Sequence, residues 1–238
     1  MEHESNEKIY LPNKNNRKRV VIACRVMQRE LNAAKEKLTQ TIEIRYLNQN
    51  LHRTPDKMPG VIQAEIDAVA DCASDIVLGY GLCSNGIVGV YAPAQPLYVP
   101  RAHDCVALLM GSRKSYEKAF RENPGTYYLS PGWILEEKDP LGIMETEYAP
   151  RMGKKEAEWG IREELKHYSR IVLIDTGVMP PAYLQERARE NARFLKKDYG
   201  EISGDPIFFK KLLNGPYHPE EFFCYEPGER IKQQPFLK

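Results

Sequence analysis

From Pro100 to Cys105 the chain reads PRAHDC. A cation (Arg101), an imidazole (His103), a carboxylate (Asp104) and a thiol (Cys105) stand within five residues, between the apolar runs LYV and VALLM. At the edge of a core such a set offers an anion anchor, a proton carrier, and a nucleophile or metal ligand. Two more cysteines share that setting. Cys24 ends the apolar run VVIAC, and Cys83 lies just past DIVLGY. Cys72 and Cys224 do not share it, and Cys72 reads as structural.

Soft thiolates hold zinc or iron–sulfur clusters. Three thiolates on a four-iron cluster would leave one iron open. A Cys/His set on zinc would keep a fourth position free. His103 and Cys105, two residues apart, share one side of an extended backbone. Helices beginning after Cys83 and Cys105 would lower the thiol pKa values. Arg101 would anchor an anionic or polar substrate. Tyr80 stands between Gly79 and Gly81, where the backbone can turn sharply or approach a ligand. The spacings of 59 and 22 residues between the three cysteines match no standard ligand signature.

Other readings stay open. Free cysteine is among the most buried residue types, so each of the three could be packing alone. One could be a nucleophile. His103 is then a poor base for Cys105, being too near along an extended segment, and His52 in NLHRTP could serve instead. His167 and His218 read as surface or turn residues, and His3 lies in the tail. DTG at 175–177 resembles the aspartic protease triplet, but those enzymes need two copies in an all-β setting. Asp175 reads instead as a strand-end ligand or acceptor. No dinucleotide fingerprint, phosphate loop or nucleophile elbow is present.

The elements that must position these residues alternate. Strands are expected at 19–24, 41–48, 74–83, 95–100, 124–133, 170–177 and near 222–231. Helices are expected after 26, at 61–72, at 107–123 with a break near Gly111, at 181–200 with Gly200 as its stop, and at 205–215. A short glycine-weakened helix is expected at 84–92. Alternation of this kind predicts a mostly parallel sheet with helices on both faces, Rossmann-like and doubly wound. In a parallel sheet Cys24, Cys83 and Cys105 share the carboxyl edge, with Tyr80, Arg101, His103, Asp104 and Asp175. Open sheets of this type bind ligands there.

The 238 residues predict a polar lead-in over 1–18 and one α/β domain over 19–238, with a charged excursion or lid at about 135–160. Net charge is +1, with 42% hydrophobic and 28% charged residues. No global basic field argues for nucleic acid, and NKNNRKR at 13–19 reads as a solvated lead-in. No signal-peptide core or membrane-span run is seen. Five cysteines without such a signal predict a reducing, cytoplasmic setting.

The blocks AC (23–24), LH (51–52), GYGLCSNG (79–86), PRAHDC (100–105), GS (111–112), PGTYYLSPGW (124–133) and DTG (175–177) resemble domain of unknown function family 1638, from about Val20 to Arg230. The resemblance implies a protein of anaerobic bacteria and methanogenic archaea, associated with corrinoid-dependent methyl transfer. It strengthens the grouping of Cys24, Cys83 and Cys105. AHDC also resembles, slightly, an element of zinc-dependent thiol methyltransferases.

These readings converge on a cytoplasmic metalloprotein with Cys24, Cys83 and Cys105 as ligands of a 4Fe–4S cluster or zinc. His103, Asp104 and Tyr80 are the expected catalytic groups. Arg101, Gly79, Gly81 and Asp175 are expected to bind cofactor or substrate. The expected partners are a small-molecule substrate and a corrinoid protein or methyltransferase, with no nucleic acid and no membrane. A metal-free binding module and a cysteine-nucleophile enzyme are the alternatives.

Overall fold

In β1 (Lys18–Cys24), KRVVIAC, every residue after the first is buried. A strand apolar on both faces belongs at the centre of a parallel sheet. The computed structural model that contains it describes residues 17–237. The expected lead-in and His3 thus lie outside the described residues, save the last residues of that lead-in. Two compact units divide the chain, one running up to Leu108 and again from Ile207, the other Leu109–Pro206. The region expected as one domain is built from these two units, each with its own sheet.

The first unit continues with α1 (Gln28–Lys35), β2 (Ile42–Leu47), α2 (Met58–Val69), β3 (Ala73–Gly79), β4 (Leu97–Pro100) and α3 (Cys105–Leu109). Met58, Ile62, Ile66 and Val69 recur at helical spacing and form the buried stripe of α2. Pro59 sits in its first turn, where a missing N–H breaks no helical bond.

The second unit holds α4 (Arg113–Glu122), β5 (Thr126–Leu129), α5 (Pro131–Leu135), α6 (Pro140–Ile143), a π-helical turn (Met144–Tyr148), α7 (Ala149–Met152), α8 (Lys154–Glu164), β6 (Arg170–Asp175), α9 (Pro181–Leu195) and β7 (Asp198–Ser203). Its sheet, β5-β6-β7, is parallel throughout. The stretch expected as an excursion is folded into this unit. Leu141, Met144, Ala157 and Ile161 pack in one core with Leu173 of β6 and Leu184 and Ala188 of α9. Polar groups fasten it as well. Buried Asn191 donates to Asp139 Oδ1 at 2.6 Å and accepts from the Leu141 N–H at 2.9 Å.

The helix α9 buries Leu184, Ala188, Ala192 and Leu195, as its periodicity predicts. It stops at Leu195, with Lys196 left-handed at φ 56°. Gly200 lies in β7, a strand the sequence does not announce. DYGEIS is mostly polar, with none of its residues fully buried, so it carries no clear apolar alternation.

The chain then returns to the first unit with α10 (Ile207–Asn214) and β8 (Phe222–Tyr225). The five-stranded order is β2-β1-β3-β4-β8. The first four strands are parallel and β8 is antiparallel to β4. The architecture is α/β and Rossmann-like, and among the described residues no helix is long and apolar enough to cross a membrane.

Candidate functional site

In the first sheet β1 pairs with β2 on one side and with β3 on the other. The connection from β1 runs one way and the connection from β2 runs back past it. That reversal falls between the carboxyl ends of β1 and β3, the place where doubly wound sheets form the crevice that takes their ligands.

Cys24 is the last residue of β1, paired with Leu47 of β2. On the other side Ala23 pairs with Gly79, the last residue of β3. A Cβ on Gly79 would lie 2.6 Å from the Ala23 Cβ, so the residue serves close strand packing. Tyr80 follows and is buried.

The loops after β3 and β4 are laced together. Leu82 N–H donates to the Ala102 carbonyl and Cys83 N–H to the His103 carbonyl, both at 2.8 Å. Gly81 permits the approach, since a Cβ there would meet the Asp104 backbone at 2.6 Å. Cys83, Ser84 and Asn85 then run left-handed in succession, at φ 48°, 55° and 67°. Such strain in non-glycine residues persists where surrounding structure holds it. No helix follows Cys83. The stretch expected as a short helix is a series of turns.

Cys105 opens the five-residue α3. Asp104 caps that helix, its Oδ1 accepting from Val106 N–H at 2.9 Å and Ala107 N–H at 3.3 Å. The three cysteines expected as a group are all buried, each at the carboxyl end of a different parallel strand.

The side chain on a cysteine sulfur is His52, not His103. A 3-10 turn, Gln49–Arg53, follows β2, with Asn48 Oδ1 accepting from Asn50 N–H at 2.9 Å. It carries His52 Nε2 to 3.6 Å from Cys24 Sγ, and the His52 ring centre to 6.3 Å from that of Tyr80. His52, the alternative base in the sequence, is thus the imidazole that the structure sets beside a cysteine.

Desolvation dominates the electrostatics. It pushes the Cys24 thiol up to about 11. Burial pushes Cys83 and Cys105 up as well, and potential negative charge on neighbouring thiols adds to it. Burial lowers His52. It raises Tyr80, with smaller contributions from Cys24, Cys83 and Cys105. The buried Tyr80 hydroxyl oxygen has no hydrogen-bond partner. The lowering of thiol pKa expected from helix starts is reversed: Cys83 precedes turns, α3 is very short, and desolvation outweighs backbone donation.

The remaining expected residues take other positions. The Arg101 guanidinium lies 3.8 Å from the centre of the Phe223 ring on β8. His103 is half-buried and its charge would favour the ionised form of Asp104, a smaller effect than the desolvation raising that carboxyl. Asp175 ends β6 in the separate three-stranded sheet, so DTG is not on the cysteine edge. Its Oδ1 accepts from Gly177 N–H at 2.9 Å, forming a local turn.

The donor set of three thiols and one imidazole suits zinc or an iron–sulfur cluster. Among the described residues, no three His, Cys, Asp or Glu side chains are already spaced as a metal's ligands are. With the thiols protonated, the charge that would draw them onto a common centre has to come from the cation.

Fold and site together define an α/β protein with three buried thiols at the carboxyl edge of its first sheet, around the switch point. The family described as protein of unknown function (DUF1638) matches residues 46–213. The chain belongs to that family. The match includes His52, Tyr80, Cys83 and Cys105, while Cys24 precedes it. No curated protein and no solved structure matches the chain.

Proposed function

We propose that Cys24, Cys83 and Cys105 are thiolate ligands of a metal centre, an iron–sulfur cluster or zinc, at which the protein acts on a small molecule. The setting is anaerobic one-carbon or corrinoid-linked methyl metabolism, as the family resemblance implies, with a corrinoid protein or methyltransferase as partner. The observation that carries the metal reading is that three buried thiols lie at or shortly after the carboxyl ends of three neighbouring parallel strands, with a buried, unpartnered Tyr80 hydroxyl on the loop after β3. Burial without a nearby cation keeps these thiols neutral, and a metal ion supplies the missing charge.

When bound, such a centre supplies a Lewis acid or an open iron position. The chain's own residues supply the rest. His52 is the fourth donor, or it takes a proton from Cys24. Tyr80 donates to an oxygen or nitrogen of the substrate. Asp104 holds α3 and with it Cys105, and Gly81 lets the two loops close.

The test is metal and acid-labile sulfide content, with a visible spectrum, on protein purified without oxygen. Iron and sulfide near four per chain would establish a cluster, and zinc near one per chain would establish a zinc site. Cys24→Ala, Cys83→Ala and Cys105→Ala should each lose metal while circular dichroism stays native. Neither metal in folded wild-type protein would overturn the proposal.

The 3.6 Å contact between Cys24 and His52 favours a second reading, a metal-free cysteine nucleophile. It ranks lower because burial raises the thiol and lowers the imidazole, so both oppose a thiolate–imidazolium pair.

A further inference from the structure

Tyr80 Oη is not the only buried polar atom at this edge without a partner. Gln49 is 7% exposed, and neither its amide nitrogen nor its amide oxygen has a hydrogen-bond partner. Leaving both ends of a carboxamide unsatisfied is costly, so a bound group is expected to complete them. Gln49 opens the same 3-10 turn that carries His52 onto Cys24, two residues past Leu47, the strand partner of Cys24. Tyr80 stands on the opposite side, one residue past Gly79. The two therefore flank the end of β1, on strands about 10 Å apart by two sheet spacings. The 6.3 Å between the His52 and Tyr80 rings shows that the His52 end of the same turn reaches across β1.

We infer that the crevice binds a small uncharged molecule bearing a carboxamide-like donor–acceptor edge, received by Gln49 and Tyr80 beside Cys24. This deepens the reading above by naming the ligand class, and it rests on this edge being where that small molecule binds. The charge pattern agrees. The Arg101 guanidinium, expected to anchor an anion, lies against Phe223.

Propionamide, propionate and propylammonium are the probes, with binding read by ligand-detected NMR on anaerobically purified protein of measured metal content. Propionamide should bind at least tenfold more tightly than either charged analogue. Gln49→Met and Tyr80→Phe should each weaken it tenfold or more, with metal content and circular dichroism unchanged. Equal binding of propionate, or undiminished binding by both variants, would overturn the inference and leave ordered water as what completes Gln49 and Tyr80. Absent propionamide binding to metal-replete protein would overturn it and spare the metal centre. Amide-selective binding to protein without metal would uphold it while the metal reading fails.

Discussion

At Cys24 the sulfur has an imidazole 3.6 Å away and is still held neutral by burial. With a pKa of about 11, about one Cys24 thiol in a thousand is ionised at pH 8. In chelator-treated protein, iodoacetamide should therefore modify exposed Cys72 at least tenfold faster than Cys24, Cys83 or Cys105, read by peptide mass spectrometry. Rapid labelling of Cys24 at pH 7 would instead support the nucleophile. The same shift makes stability pH-dependent. A thiol whose folded pKa is raised contributes stability fully present below its unfolded value of 9.0, and that contribution is lost as pH rises through about 11. The melting temperature of chelator-treated protein should fall across that window, and Cys24→Ser should flatten the fall.

Among the elements, two loops do most of the positioning. Asp104 was legible as a chemical group, but its carboxylate is spent on capping α3. Asp104→Ala should lower stability by about 1 kcal/mol, the usual worth of a cap. Asp104→Asn should retain most stability and any activity, which a proton-transferring carboxylate would not permit. Gly81→Ala forces a Cβ into the Asp104 backbone and should destabilise by about 1–3 kcal/mol, measured by urea unfolding. The strand-end address of the cysteines could be read because buried parallel strands are continuous apolar runs, as VVIAC and IVLG are. The turn after Cys83 could not, because three successive left-handed residues depend on contacts with residues 102–103, which sequence does not reveal. His52 was legible only as an alternative base, because its contact with Cys24 comes from the pairing of β2 with β1. The strand β7 escaped because its sequence is polar, and Asp175 was misassigned because alternation alone does not say how many sheets share the strands.

Across the whole molecule the first unit is discontinuous, and one buried ion pair helps to hold its returning segment. Arg19 Nε lies 2.5 Å from Asp75 Oδ1, joining β1 to β3. Its Nη1 donates to the Leu213 carbonyl at 2.9 Å, and its guanidinium sits 5.0 Å from the centre of the Tyr217 ring. Arg19→Met leaves Asp75 buried without its cation and should cost about 3–5 kcal/mol in chemical unfolding. Arg19→Met with Asp75→Leu should recover much of that loss, since paired apolar replacement removes both desolvation penalties.

The antiparallel strand β8 has a consequence in time. It is the neighbour that completes β4, yet it follows β4 by roughly 120 residues, or about 6–24 s of ribosomal synthesis. Through that interval the nascent chain holds Cys24, Cys83 and Cys105 but lacks the strand that covers Leu97 and Val99. The edge that carries the three thiols is thus translated well before the strand that completes its sheet.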